Sequence, residues 1–177
     1  MITVNKDGII SLWQKTFGDT REYIESFIST FSDKAKFLTK EADGKVISML
    51  CMIECSMSAE SKKYKGRYIY ACATDEAYKR QGLITELLDE ARAEAEKEDC
   101  DFLTLVPANK SLFDFYESPS MGKNASGNVT EKWDTTVPNT GMGDTQNCDR
   151  EVQKMVENTL NTKNTSSGKA SSLSRDD

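Results

Sequence analysis

The most informative part of the sequence is a basic turn that contains a glycine and joins a predicted strand to a predicted helix. The turn consists of Lys79, Arg80, Gln81 and Gly82. The first turn of a helix carries backbone N–H groups without helical partners and a partial positive charge, so it attracts anions. Gly82 lets a bulky phosphate approach the backbone, and Lys79 and Arg80 add positive charge. The pattern predicts a pyrophosphate site made by the amides of residues 80–84, or else a glycine that only begins a helix.

Histidine is absent from all 177 residues. Mechanisms that use a Ser-His or Cys-His pair are therefore excluded, as are metal sites that require imidazole. Any proton transfer must use a carboxylate, Tyr, Lys, Cys, the backbone or water. We expect no metal cofactor.

Hydrophobic periodicity predicts the elements that hold the basic turn in place. Helices are predicted at residues 9–17, 20–31, 82–97 and 109–117, strands at 36–41, 45–55, 67–74 and 101–106, and a polar loop at 56–66. Asp19 or Thr20 would cap the second helix. The run 46–53 is almost continuously apolar, which predicts a central strand covered on both faces. Asp43-Gly44 precedes this strand and is a typical hairpin turn.

The composition changes after Ser118. Residues 119–177 are dominated by Ser, Thr, Asn, Gly and Asp, which bury too little apolar area to offset the entropy cost of ordering. We predict a folded domain at 1–118 and a polar, mostly disordered tail at 119–177. Within the tail, a strand at 129–137 and a short helix at 149–160 are candidates. The helix would use Val152, Met155, Val156 and Leu160.

Overall composition excludes several classes of partner. The formal net charge of −6 argues against nucleic acid, because neutralising phosphates requires a basic face. No apolar stretch approaches the ~20 residues of a membrane span, and no signal peptide pattern is visible. The 5 cysteines form no CxxC pair. We therefore expect free thiols and a cytoplasmic location. The oligomeric state stays open.

Three motifs in this order resemble the N-acetyltransferases of the GNAT family. Residues 78–84 (Tyr-Lys-Arg-Gln-Gly-Leu-Ile) resemble the acetyl-CoA signature, Arg/Gln-x-x-Gly-x-Gly/Ala. Residues 68–75 resemble the strand that holds the pantetheine arm, and residues 105–117 resemble a later strand-helix pair of the family. The resemblance covers residues 1–117. It implies an α+β fold with three α/β/α layers around a mixed, centrally splayed sheet.

The resemblance also implies a role for each matching position. The turn residues Lys79, Arg80, Gln81, Gly82, Leu83 and Ile84 would hold the CoA pyrophosphate, chiefly through amides. Backbone groups of Cys72 and Thr74 would pair with pantetheine, and the Cys72 N–H would stabilise the oxyanion. Asn109 would contact the CoA arm, and Tyr116 would protonate the departing thiolate. The implied reaction transfers acetyl from the co-substrate acetyl-CoA to a primary amine of a small molecule or peptide, by direct attack in a ternary complex.

Several features depart from the family pattern and keep alternatives open. Lys79 stands where Arg or Gln is usual, and Ile84 where Gly or Ala is usual. No strand pair is recognisable after Glu117, so the tail is a native extension, a diverged sequence or the product of a shifted reading frame. The general base is Glu54 or a water relay. The alternatives to an active enzyme are a domain that binds CoA weakly without turnover and an interaction module.

Overall fold

The computed structural model describes residues 5–59, 61–105, 150 and 152–162. The helices are α1 (Lys6–Phe17), α2 (Arg21–Thr30), α3 (Leu83–Lys97) and α4 (152–162), and the strands are β1 (Ala35–Ala42), β2 (Lys45–Ala59), β3 (Lys62–Thr74) and β4 (Phe102–Leu105). The sheet has the order β1-β2-β3-β4. The first two pairings are antiparallel and the third is parallel. The predicted α+β fold with a mixed sheet is confirmed.

Strand β2 supplies both halves of the hydrophobic core. Met49, Cys51 and Ile53 join a cluster with residues of α1 and α2, whereas Leu50 and Met52 join a second cluster with residues of α3. Successive side chains of a strand point to opposite faces, so one unbroken apolar run serves both clusters. The helices therefore lie on both sides of the sheet, which gives three layers.

Helix boundaries follow from local capping. Asn5 accepts a hydrogen bond from the Gly8 N–H at the start of α1, which ends at Gly18 in the left-handed conformation. Thr20 caps α2 by accepting from the Tyr23 N–H. Asp19 has a different partner: its carboxylate accepts from the indole N–H of buried Trp13 at 2.7 Å.

The predicted polar loop at 56–66 is wrong, because these residues belong to a long hairpin. The register pairs Ser56 with Lys65 and Ala59 with Lys62, so β2 and β3 continue past the sheet as a two-stranded arm. The segment is polar, and sequence patterns identify strands by a buried face. Cross-strand backbone hydrogen bonds stabilise an arm without requiring such a face.

The parallel pairing of β3 with β4 begins at a close contact. Gly66 pairs with Phe102, and a Cβ atom added at Gly66 would lie 2.4 Å from the Phe102 ring. Glycine thus leaves the space that the ring occupies. The described ladder ends at the pair of Ile69 with Leu105.

Helix α4 packs into the core cluster formed by α1 and α2. Val152 and Val156 are buried there, and the Thr159 hydroxyl contacts the Thr30 hydroxyl at 2.9 Å. The segment overlaps the helix predicted at 149–160. The helix at 109–117 and the strand at 129–137 lie outside the described residues, and the domain boundary at 118 stays a prediction.

Replacing Val156 by Asp tests the contribution of α4 to stability. Val156 is 0% exposed, so the variant would place an unpaired carboxylate in the core and lose about 3 kcal/mol or more of unfolding free energy. Met155→Asp is the matched control, because Met155 on the same helix is 49% exposed. Urea unfolding should show a change within about 0.5 kcal/mol for the control. Equal midpoints for the two variants would show that α4 contributes nothing to the core.

Ion pairs connect α3 and the residue after it, Glu98, to strands β1 and β3. Lys36 on β1 pairs with Glu94, Lys40 pairs with Glu90 at 2.7 Å, and Arg67 on β3 pairs with Glu98 at 2.6 Å. Hydrogen bonds from Lys36 and then from Lys97 lower the pKa of Glu94 to about 2. These pairs are partly hydrated, so each contributes little beyond orienting the helix.

The lowered pKa of Glu94 predicts a specific loss of stability in acid. A carboxyl whose pKa is lower in the folded state stabilises the fold above its unfolded value of 4.5, and this contribution disappears as the pH falls towards about 2. Glu94→Gln should therefore be less stable than wild type by roughly 0.5–1 kcal/mol at neutral pH and equal to it near pH 2. The measurement is chemical unfolding across this pH range. Glu96→Gln is the control, because Glu96 is exposed on the same helix and makes no ion pair with any described residue. A constant difference for Glu94→Gln at every pH would contradict the assignment.

Candidate functional site

The segment between β3 and α3 is anchored at its first residue, Asp75. The Asp75 N–H donates to the Ile47 carbonyl of β2 at 2.8 Å. Its carboxylate accepts from Lys15 of α1 at 2.7 Å and from the Ala77 N–H at 3.1 Å, and these hydrogen bonds lower the pKa of Asp75. A short 3-10 turn, Glu76–Tyr78, follows. The segment is thus attached to both β2 and α1 before it reaches the basic turn.

The basic turn enters α3 through two residues in the left-handed region. Arg80 has φ 63° and Gly82 has φ 80°. Gly82 is the N-cap residue, and no side chain of the described residues caps the helix. The first helical bond runs from the Glu86 N–H to the Gly82 carbonyl at 3.0 Å. The amides of residues 83–85 therefore have no acceptor within the helix.

Gly82 has open space beside it within the part of the chain that the structure describes. A Cβ atom built on Gly82 meets no described residue within 4 Å, so among these residues the glycine is required by its φ and not by packing. Lys79 pairs with Glu76 at 2.5 Å, while the exposed Arg80 makes no ion pair with any residue in the described ranges. Ile84 packs against the α3-side core cluster, which explains how a β-branched residue is accommodated at this position.

Strand β3 carries an irregularity just before its end. The register shifts between Met49 and Cys51 of β2, and Ala71 opposite them has φ 50°, the geometry of a β-bulge. Cys72 follows the bulge and is half-buried against the α3-side cluster. Thr74, the last residue of β3, pairs with Ser48.

The structure thus brings together most of the site residues predicted from sequence. Those on one strand end and the adjoining turn are Cys72, Thr74, Lys79, Arg80, Gln81, Gly82, Leu83 and Ile84. Asn109 and Tyr116 lie outside the described residues. Sequence analysis missed Ser48 and the Lys15–Asp75 pair. Ser48 could have been noticed as a hydroxyl inside an apolar run, whereas the pair joins residues far apart in sequence.

Glu54, the candidate general base, lies towards the other end of the sheet. It pairs with Arg67, which precedes Cys72 by about five residues, a separation of roughly 16 Å along a strand. There Glu54 lines an open cleft of about 520 Å³ together with residues of the hairpin arm. Glu54 is therefore well separated from Cys72 along the sheet.

The described residues contain neither a metal-binding cluster nor a membrane-spanning helix. No group of three or more His, Cys, Asp or Glu side chains in these ranges is arranged to hold a metal ion. None of the helices in the described part of the chain is long and apolar enough to span a bilayer.

Comparison with protein families settles the family. Residues 4–119 match the sequence profile described as "Acetyltransferase (GNAT) domain". The chain belongs to the GNAT acetyltransferase family. The family predicted from the three motifs is therefore confirmed. A search of curated protein sequences found no match.

Solved structures described as acyl- or acetyltransferases share the fold at low sequence identity. A probable N-acyltransferase from Enterococcus faecalis V583 has a TM-score of 0.58 and 19% identity to this chain. The match covers 66% of this chain and 30% of the Enterococcus protein, so this chain spans under a third of that protein's length. Glucosamine-6-phosphate N-acetyltransferase from Arabidopsis thaliana has a TM-score of 0.55 and 15% identity over 73% and 91% of the two chains. The acetyltransferase AAC(6')-Iy, solved with a CoA bisubstrate analogue, has a TM-score of 0.57 and 9% identity, and the match covers 66% of this chain and 82% of that chain.

Proposed function

We propose that this GNAT protein transfers an acetyl group from acetyl-CoA to a primary amine of a small molecule or peptide. The observation that carries the proposal is the start of α3, where amides without partners in the helix follow a left-handed glycine. We further propose a cytoplasmic location, which suits the free thiols of Cys51 and Cys100.

The amides of residues 83–85 suit the pyrophosphate of acetyl-CoA. They point out of the helix at the positive end of its dipole, where an anion is stabilised. Glu86 is the acidic residue of this first turn, and Lys40 pairs with it at 3.1 Å. The pairing offsets a negative charge that would otherwise repel phosphate. Arg80 adds a positive charge at the same turn.

The end of β3 suits the pantetheine arm and the thioester. Backbone groups of Cys72 and Thr74 would bind the arm as a neighbouring strand does. The bulge at Ala71 turns the strand locally, and bulges commonly re-aim groups next to active sites. We assign the Cys72 N–H to the thioester oxygen, where a fixed donor stabilises the tetrahedral intermediate.

The reaction needs proton transfers at the acceptor nitrogen and at the leaving sulfur, but no covalent enzyme intermediate. The acceptor ammonium, with a pKa of ~10, first loses a proton to a water relay. The neutral amine then attacks the thioester carbonyl, and the C–S bond breaks as the intermediate collapses. Tyr116 gives its proton to the CoA thiolate, and the second proton lost by the attacking nitrogen restores the phenol. Binding both substrates side by side supplies much of the acceleration. Asn109 would contact the CoA arm.

Gly82→Ala tests the pyrophosphate assignment, with Gly18→Ala as its matched control. Both glycines have φ near +80°, and an added Cβ would meet no described residue within 4 Å at either position. Both variants should therefore lose about 1–2 kcal/mol of stability. Only the Gly82 variant places a methyl group beside the uncapped amides. We therefore expect its acetyl-CoA Kd, measured by calorimetry, to rise about tenfold or more and that of the control to stay unchanged. Equal affinities in both variants would refute the site.

Thiol release with a panel of amines tests the transfer itself. Tyr116→Phe should slow release about 100-fold without changing the Kd for acetyl-CoA, because it removes only the acid. Tyr64→Phe on the distant hairpin arm is the control and should behave as wild type. Wild-type turnover in Tyr116→Phe would remove that residue from the mechanism. Wild-type protein that binds acetyl-CoA yet releases no thiol with any amine would favour the inactive alternative.

A further inference from the structure

Ser48 is a polar residue in the middle of an apolar strand. It lies on β2 between Ile47 and Met49, and its side chain is 0% exposed. Ser26 on α2, at 2% exposed, is the other buried polar residue of the described ranges. A buried hydroxyl is costly unless it is hydrogen-bonded, so its partners indicate what it does.

Both partners of Ser48 lie at the end of β3. The Ser48 Oγ is 3.2 Å from the Ala73 carbonyl oxygen and 2.9 Å from the Thr74 Oγ1. A carbonyl oxygen only accepts, so Ser48 donates its single proton to Ala73. The Thr74 hydroxyl must then donate to Ser48. The result is a directed chain of two hydrogen bonds from Thr74 through Ser48 to the Ala73 carbonyl.

This chain holds the part of β3 that follows the bulge. Before the bulge Cys51 pairs with Tyr70, and after it Met49 pairs with Ala73. A bulge disrupts the backbone hydrogen bonds between the two strands locally. Side-chain hydrogen bonds therefore contribute more to fixing the register of β3 against β2 at this point. Ser48 shares its face of β2 with Leu50 and Met52, which is the face that α3 covers.

We propose that Ser48 is a positioning residue for acetyl-CoA. Its hydroxyl fixes the backbone of β3 from Cys72 to Thr74, and thereby sets the position of the N–H and C=O groups that meet the pantetheine arm. This inference rests on the proposed function, since it assigns that arm to the same strand end. An apolar residue at position 48 would suit the surrounding core and would leave the strand end without this fixed attachment.

The test compares Ser48→Ala with Ser26→Ala, the other buried serine, on α2. Both variants lose a buried hydroxyl, and Ser48 is the one whose hydroxyl bonds to the Ala73 carbonyl and the Thr74 hydroxyl. We expect Ser48→Ala to raise the Kd and KM for acetyl-CoA about fivefold to tenfold. The KM for the amine should change by less than about twofold, and Ser26→Ala should keep the wild-type Kd. Thr74→Val should raise the Kd for acetyl-CoA as much as Ser48→Ala does. The double variant should have a Kd no higher than that of either single variant, because all three variants break the same chain of hydrogen bonds.

The outcomes separate this inference from the function on which it rests. Wild-type affinity in Ser48→Ala, or equal weakening in Ser48→Ala and Ser26→Ala, overturns the positioning role while leaving the acetyl-CoA site intact. Should Ser48→Ala fail to fold, Thr74→Val decides by the same criteria. Wild-type protein that shows no stabilisation by acetyl-CoA, where about 2.7 kcal/mol is expected at 100 times Kd, overturns the proposed function and this inference with it.

Discussion

The amides at the start of α3 can bind an anion only if the strand end and turn before them are held still. If the turn were flexible, binding would have to offset the entropy lost when it becomes ordered, roughly 1–2 kcal/mol for each residue fixed. Three attachments prevent this at the end of β3: Ser48 binds Ala73 and Thr74, Ile47 binds the Asp75 N–H, and Lys15 binds the Asp75 carboxylate. The site is therefore organised from β2 and α1, which precede it in sequence.

In this fold, apolar burial supplies stability, whereas the polar contacts of α3 orient the helix. The two clusters on either face of β2 supply most of the stability, because each fully buried aliphatic side chain contributes about 1.5–3 kcal/mol. The surface ion pairs of α3 contribute about 0–1 kcal/mol each. The ion pairs are important for the orientation of α3 more than for stability. Lys36 and Lys40 extend from β1 to Glu94 and Glu90 and hold α3 across the sheet, so that its N-terminus stays beside the end of β3.

Sequence patterns identified those elements whose periodicity reflects burial. The run 46–53 and the stripe of α3 are apolar because they face the core, and both were placed correctly. The arm at 56–66 has no such face, so its polar residues suggested a loop. Left-handed Arg80 was also missed, since a non-glycine residue gives no warning of positive φ. The partners of Ser48 are long-range contacts, which no local pattern encodes.

The C-terminal helix α4 lies on the opposite side of the sheet from α3. Val152 and Val156 belong to the cluster of α1 and α2, and the uncapped amides belong to the layer of α3. Changes in α4 therefore reach the basic turn indirectly. The cluster that holds Val152 and Val156 also contains Ala73, at the end of β3, and residues of α1, whose Lys15 binds Asp75. Burial of the two valines thus acts first on the stability of the fold, and it acts on the strand end through the packing of this shared cluster.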